Sequence, residues 1–530
     1  WIFSMLPSNC NGRFSISREL ILADLLFSIL AILFFRGGLR FWNTRYQQKE
    51  LWVDGRNGSS VSNVALIGAN ETGSQVVSEL KAKRMYGLKP VAIFDDDDRY
   101  HGRDFHGVPV IGKPENLAEF YREFNIRSLI IVPDNFSSGR TREFIQLGES
   151  LNLKVFIVPS LSDFVADKVY VSRIRPIDFE DFLERKPVTL HFDNLLNQIK
   201  NKVVAVTGAG GSIGCELARQ LVRAQPSKLL LIDHAEHNLF KVEQDLLRDG
   251  QTGIPLLMDI TNESALRRCF ERFRPQIVYH AAAYKHVPML ESQPGVALRN
   301  NTFGTRLLAL LSSEFRVDRF VLVSTDKAIN PINYMGASKR MAEIFSMAVQ
   351  ERPGNQTQFM AVRFGNVLGS AGSVLPIFKE QIARGGPVTV THAEATRYFM
   401  TIPEAVGLIL EASTFPNVGG KTFVLDMGMP VKVLDIAKKL IEWNHLQVGT
   451  DIDIIFTGLR PGEKLHEDLD YHSEMLMKTL HPSIFLFGRE PCPEGALKCL
   501  AQDFPESPEQ IDAFIENFVP AFRERRKILF

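Results

Sequence analysis

The segment FVLVSTDKA, residues 320–328, sets hydroxyls, a carboxylate and an amine side by side at the end of an apolar run: Ser324, Thr325, Asp326 and Lys327. A short, unbroken apolar run reads as a strand buried on both faces of a parallel sheet. In an open α/β sheet, the groups at the carboxyl ends of strands face the ligand crevice. A carboxyl that can give a proton and an amine that can take one then form an acid/base set. A few residues on, the helical stretch YMGASKRMAEIF carries a second amine, Lys339. The ordinary alternatives are a solvated ion pair for Asp326 and Lys327 and a surface helix lysine for Lys339. Their position at a strand end and on the next helix weighs against both.

Elements able to position such a set begin at residue 203. The stretch VVAVTGAGGSIG, residues 203–214, runs from an apolar strand into a turn containing Thr207, Gly208, Gly211, Ser212, Ile213 and Gly214. A turn this tight needs residues without a Cβ, so that the backbone can approach a pyrophosphate at the start of the following helix. The next strand, KLLLID, ends in Asp233, where an acid can bind a ribose 2′-OH. Asp259 and Ile260 close the third strand, PLLMDI, at the place where a side chain meets an adenine edge. The strand QIVYHAAA then brings His280 and the small Ala281 and Ala282 past the cofactor. Strand, glycines, helix, strand and acid together point to a dinucleotide. Asp233 would repel a 2′-phosphate, which favours NAD over NADP.

The bulk numbers fit an ordinary globular enzyme of two or three domains: 530 residues, 45% hydrophobic and 23% charged. Lys+Arg and Asp+Glu are 61 each, so no global charge argues for nucleic acid. The 5 cysteines are scattered without a CxxC pair, which gives neither a disulfide framework nor a metal site. Cys215 sits at a helix start, where a thiol pKa is lowered, but no base stands beside it and it reads as packing. Leu20–Phe35 is apolar with one charge, Asp24, and is followed by Arg36, Arg40, Trp42 and Arg45. That run is short of the roughly 20 residues that span a bilayer. Its basic, aromatic flank suggests the end of a membrane-anchoring region all the same.

The expected fold class is α/β, with two Rossmann-like, doubly wound parallel-sheet domains, the second an extended form with a smaller substrate lobe. Residues 1–58 form the membrane-proximal segment, and 59–165 the first Rossmann-like domain, with strands such as PVAIFDDD and SLIIVP. Its glycine motif, Gly68, Asn70 and Gly73, is degraded, and the acidic run Asp95–Asp98 beside it disfavours a phosphate ligand. A regulatory or structural role is therefore expected there. Residues 166–200 form a charged linker and 201–530 the cofactor-binding domain and lobe.

TGAGGSIG, STDK and a helix reaching GASK together resemble the extended short-chain dehydrogenase/reductase superfamily. In that superfamily the helix carries Tyr-x-x-x-Lys, a tyrosine base and a lysine that holds the nicotinamide ribose. Counting back from Lys339 gives Met335 instead, and Tyr334 is displaced by one residue, about 100° around the helix. With that methionine, AAAYKHVPMLE, VRFGNVLGSAGSVLPIF, TRYFMTIPEAV and TGLRPGEKLHEDL, the chain resembles the membrane-anchored UDP-N-acetylglucosamine 4,6-dehydratases of bacterial glycan synthesis over nearly its whole length.

The resemblance implies dehydration through a 4-ketone, with NAD reduced and regenerated within one turnover. It makes Asp326 the acid for the C6 hydroxyl, Lys327 the base at C5, Thr325 the contact to the C4 hydroxyl and Lys339 the ribose contact. It places Arg397 and Arg460 at the nucleotide diphosphate and Glu463 at the uridine ribose. Lys285 and His286 would border the sugar, with Asn366 and Lys379 as further substrate candidates. Met335 favours the C5-retaining reaction, because inverting relatives keep the tyrosine; an inverting dehydratase, a 4-epimerase and a non-catalytic nucleotide-sugar scaffold are the rivals. The implied setting is the bacterial inner membrane, with cytoplasmic catalytic domains and a homo-oligomer.

Overall fold

The computed structural model describes residues 62–82, 87–133, 136–158, 175–176, 191–444, 446–467, 476–488, 495–500, 504–505, 507–520 and 522–527. They fall into two compact units, one holding the described residues up to 176 and the other those from 191 onward. The apolar stretch Leu20–Phe35 and most of the expected linker lie outside the described residues. No helix among the described residues is long and apolar enough to cross a membrane.

In the first unit, β1 (Ser62–Ile67), α1 (Glu71–Ala82), β2 (Leu88–Phe94), β3 (Val108–Gly112), β4 (Ile126–Ile131), α2 (Ser138–Ser150) and β5 (Lys154–Ile157) alternate along the chain. The five strands form a parallel sheet in the order β3-β2-β1-β4-β5, with short antiparallel edges at Asp104–Phe105 and Arg175–Pro176. Val64, Ala65, Leu66 and Ile67 are all fully buried, which explains why β1 reads as a continuous apolar run rather than an alternating one.

The second unit begins with α3 (Phe192–Ile199), β6 (Val203–Thr207), α4 (Ser212–Leu221), β7 (Lys228–Asp233), α5 (Glu236–Arg248), β8 (Ile254–Leu257), α6 (Glu263–Phe273) and β9 (Ile277–His280). It continues with α7 (Thr305–Glu314), β10 (Arg319–Val323), α8 (Tyr334–Gln350), β11 (Gln358–Arg363), α9 (Ile402–Thr414), β12 (Lys421–Leu425), β13 (Leu476–Lys478), β14 (Ile484–Phe487) and α10 (Pro508–Phe518). The nine-stranded sheet runs β8-β7-β6-β9-β10-β11-β12-β14-β13, parallel except where β14 and β13 join antiparallel. Val204 and Val206 face a core with α4 and α9, whereas Ala205 faces the opposite core with α6, α7 and α8. The chain crosses from β8 over β6 to β9. The order therefore reverses between β6 and β9, and a crevice opens at their carboxyl ends.

A smaller lobe is interleaved with the last strands, as the sequence suggests. Its core gathers Leu375, Phe378 and Ile382 of the helix Val374–Ala383 with Ile436 and Leu440 of the helix Val433–Trp443. The strand Val388–Val390 pairs with Ile454–Phe456 across it.

Candidate active site

The glycine turn is built so that only glycine fits. Gly208 has φ +66°, and a Cβ there would lie 2.6 Å from the Ala282 nitrogen. A Cβ on Gly214 would lie 2.0 Å from the Gly208 carbonyl oxygen. Helix α4 starts from Gly211 without a side-chain cap, so its first-turn N–H groups have no side-chain acceptor among the described residues. Such an end attracts a phosphate. Asp233 is buried at the tip of β7, where its carboxylate accepts from the Gly210 N–H at 2.8 Å and the Ala235 N–H at 2.8 Å. A cradle free of Cβ atoms, an uncapped helix start and a fixed carboxylate beside them fit the adenosine half of NAD.

The remaining cofactor candidates line the same edge. Thr207 is fully buried and bonded to His280 Nδ1 at 2.6 Å, while His280 Nε2 meets Thr305 Oγ1 at 2.8 Å. Burial pushes this imidazole down to about 3, so it serves as a neutral pin between turn and helix. Ala281 and Ala282 follow directly, half-buried. Ser212 Oγ accepts from the Ala371 N–H at 3.2 Å, and Ile213 packs on the core. Asp259 is exposed and bonds Thr261, whereas Ile260 is buried against Gly304. Cys215 packs against the core, as expected, and burial pushes its thiol up despite the nearby Arg219 cation.

Asp326 and Lys327 lie at the carboxyl end of β10, in a single turn that Thr325 caps. Thr325 Oγ1 donates to Asp326 Oδ1 at 2.8 Å, and Lys327 Nζ donates to the same oxygen at 3.1 Å. The pair is no solvated ion pair, because the side chains are only 3% and 15% exposed. Asp326 Oδ2 is buried with no hydrogen-bond partner among the described residues, the state expected of an atom that awaits a ligand. Below the pair, Glu343 of α8 accepts from Ser324 at 2.6 Å and from Arg363 at 2.9 and 2.8 Å. Burial alone would raise Glu343, but Arg363 and Arg340 hold it at about 2. This buried network fixes α8 against β10 and β11.

Helix α8 settles the tyrosine question. Met335 is buried among Val287, Leu290 and Ala297, and it offers no acid/base group. Tyr334 turns to the carboxyl-terminal helices, where its hydroxyl donates to Asp512 at 2.7 Å. Lys339 is buried and donates to the Val323 carbonyl at 2.7 Å; burial pushes it down to about 8.

The substrate candidates divide into two groups. Asn366 touches the acid/base pair, accepting from Lys327 Nζ at 3.1 Å. Lys285 reaches Ser370 at 3.4 Å, and the His286 ring lies where a Cβ on Gly372 would collide, at 2.7 Å. Burial and the cations of Lys285 and Arg460 push that imidazole below its usual range, so Arg460 borders the same rim. Arg460 pairs with Glu463 at 2.7 Å and is itself 59% exposed. Lys379 is exposed on the helix Val374–Ala383. Arg397 is not free for a diphosphate as it stands. Its guanidinium donates to the carbonyls of Thr396, Lys464 and Leu465 at 2.7–3.0 Å.

The sequence reading passed over Glu467. Its carboxylate lies 3.2 Å from Lys327 Nζ and 3.5 Å from Arg397 Nε, and it is 7% exposed. The stretch TGLRPGEKLHEDL was noted for Arg460 and Glu463; a second acid shortly after them was the available signal.

Comparison with known proteins agrees with this geometry. Residues 204–488 match the polysaccharide biosynthesis protein family, and residues 1–159 match a CoA-binding domain family. The capsular polysaccharide biosynthesis protein CapD of Staphylococcus aureus is 39% identical over 461 residues, 86% of this chain and 76% of CapD. An inverting UDP-N-acetylglucosamine 4,6-dehydratase of Campylobacter jejuni is 30% identical over 269 residues, 50% of this chain and 76% of that enzyme. A UDP-glucose 4-epimerase of Rickettsia rickettsii is 29% identical over 282 residues, 52% of this chain and 79% of that enzyme. With two Rossmann-like units, a glycine cradle and a buried acid/base pair, the chain belongs to the polysaccharide biosynthesis protein family.

Proposed function

We propose that this chain is an NAD-dependent 4,6-dehydratase of UDP-N-acetylglucosamine that retains configuration at C5 and yields UDP-2-acetamido-2,6-dideoxy-α-D-xylo-hexos-4-ulose. The observation that carries this reading is the buried Asp326–Lys327 pair at the β10 tip. Elimination of water across C5 and C6 needs an acid and a base together, and an epimerase does not. NAD, when bound, would take hydride from C4 and return it to C6. The turn 207–214 and Asp233 would hold its adenosine half, and Lys339 the nicotinamide ribose.

The chain's own residues would then divide the proton work. Thr325, already donating to Asp326, would meet the C4 hydroxyl in place of the absent phenol and relay its proton onward to solvent as hydride leaves C4. The C4 ketone makes the C5 proton acidic, and Lys327 would take it as a neutral amine. Asp326, as the carboxylic acid, would protonate the departing C6 hydroxyl. Lys285 and His286 would border the sugar, and Arg460 and Glu463 the uridine diphosphate. Arg397 would reach the diphosphate only by exchanging its carbonyl contacts.

A second reading, C5 inversion, draws support from the described activity of the Campylobacter relative. Met335 speaks against it, because the reacting face then lacks the tyrosine on which inverting relatives rely. The enzyme would act as a homo-oligomer on the cytoplasmic side of the inner membrane. Proton NMR of the protein with UDP-N-acetylglucosamine in D₂O tests the whole reading. A C6 methyl signal with deuterium at C5 is the expected result, and the C5 couplings separate retention from inversion. An unaltered substrate spectrum from folded, NAD-loaded protein would overturn the assignment.

A further inference from the structure

The reading above requires Asp326 to carry a proton and Lys327 to carry none. The contacts of Lys327 fit an ammonium instead. Lys327 Nζ has three acceptors at hydrogen-bond distance: Asp326 Oδ1 at 3.1 Å, Asn366 Oδ1 at 3.1 Å and Glu467 Oε1 at 3.2 Å. Three acceptors around one tetrahedral nitrogen match an ammonium with all of its N–H bonds engaged.

Asp326 carboxylate with Lys327 ammonium, and Asp326 acid with Lys327 amine, hold the same number of protons. One transfer along the 3.1 Å contact interconverts them: an N–H bond breaks, an O–H bond forms on Oδ1, and nothing passes to solvent. The pair works only while it keeps that one proton. If it is lost to solvent, the base survives but the acid is gone.

We propose that Glu467 is a positioning residue that keeps this proton within the Asp326–Lys327 pair and so sets the alkaline limit of turnover. The inference rests on the dehydratase reading. Charged groups reach Lys327 from two elements: Asp326 from its own turn, and Glu467 and Arg397 from the lobe. Glu467 in turn faces Lys327, Arg397 and Lys464. Burial pushes the Lys327 ammonium down, but the two carboxylates outweigh burial and the Arg397 cation, and the net displacement is upward.

The placement of Glu467 is built. Arg397 clasps the carbonyls of Lys464 and Leu465 at 2.7 and 3.0 Å, and the Thr396 N–H donates to Leu465 at 3.1 Å. These contacts hold the segment that delivers the Glu467 carboxylate to within 3.2 Å of Lys327 Nζ. A buried carboxylate this close to a cation ordinarily moves its titration by about one unit or more.

The sign follows directly. Removing the Glu467 charge lowers the pH at which Lys327 gives up its proton, and the alkaline limb of kcat moves down with it. The test is the pH profile of kcat for wild type, Glu467→Gln and Glu467→Asp, with circular dichroism confirming the fold at each pH. The glutamine keeps an acceptor oxygen near Nζ but no charge. Its alkaline limb should fall by about one pH unit or more, whereas Glu467→Asp should stay close to wild type.

A second readout does not depend on turnover. In protein labelled at lysine Cε and Nζ, the Lys327 signal, assigned by its loss in Lys327→Met, should titrate at lower pH in Glu467→Gln. An unmoved limb and an unmoved Lys327 midpoint would overturn the inference. A shifted midpoint in a protein that fails to dehydrate the sugar would sink the dehydratase reading while leaving the role of Glu467 intact.

Discussion

The glycine turns of the two Rossmann-like units each tie a backbone N–H to a buried carboxylate, but their helix starts are capped differently. In the first, the Ala69 N–H donates to Asp95 Oδ2 at 2.6 Å; in the second, the Gly210 N–H donates to Asp233 Oδ2 at 2.8 Å. A Cβ on Gly73 would lie 2.1 Å from the Gly68 carbonyl oxygen, and one on Gly214 would lie 2.0 Å from the Gly208 carbonyl oxygen. The first turn is one residue shorter, and the residue that starts its helix carries a side chain. Asn70 Oδ1 accepts from the Gly73 N–H at 2.8 Å and so fills the start of α1, whereas Gly211 leaves the start of α4 without a side-chain cap.

The acids around the first turn are also spent on protein partners. Asp96 binds Arg140 at 2.7 Å, and Glu115 and Glu143 bind the same guanidinium. Strand order and glycines are common to both units, and the expectation to test is that the cap and local charge decide whether such a turn takes a dinucleotide.

The largest effect should come from the chemistry confined to the second unit. Asp326→Asn or Lys327→Met should lower kcat by about a thousandfold or more, read as appearance of the 4-keto product. Arg140→Met breaks the acidic cluster of the first unit and should leave kcat within about twofold of wild type. A comparable loss in both would show that the first unit takes part in turnover.

A smaller effect separates scaffold from site. Gly214→Ala and Gly73→Ala each drive a Cβ into a carbonyl oxygen, and each should destabilise its own unit by about 1–3 kcal/mol in the matching unfolding transition. Only Gly214→Ala should strip NAD from the purified protein, measured as nucleotide released on denaturation. Equal nucleotide loss in Gly73→Ala would break the comparison.

Much of this was legible in the sequence because the signals are local. The apolar run before Thr207 and the STDK tetrad each sit within one strand and its turn, and the spacing to Asp233 covers only one helix and the next strand. Displacing Tyr334 by one residue correctly turned it to another face, toward Asp512. Contacts between distant segments were not legible. Glu467 meets Lys327 only because the lobe folds back over the sheet, and Arg397, expected at a diphosphate, is held by carbonyls of residues 464–465. Backbone acceptors leave no mark in a sequence. The lobe strands Asn366–Val367 and Phe399–Met400 are too short to show a period of two.

The smallest effect tests the cap itself. Asn70→Ala removes the acceptor of the Gly73 N–H and should destabilise the first unit by about 1 kcal/mol, the usual loss of a side-chain cap. Asn70 Nδ2 is buried without a partner among the described residues, so the asparagine already carries one unsatisfied donor. Asn70→Ser keeps an acceptor oxygen and discards that donor, and its unfolding midpoint should stay within a degree or two of wild type. NAD content should be unchanged in both variants, because the helix start that receives the cofactor belongs to the other unit. If Asn70→Ala instead let the first unit bind a nucleotide, detected by calorimetry with ADP in the Asn70→Ala, Gly214→Ala double variant but not in Gly214→Ala alone, the cap would be what keeps a nucleotide from that turn. No binding would point instead to the carboxylates Asp95 and Asp96 beside the turn.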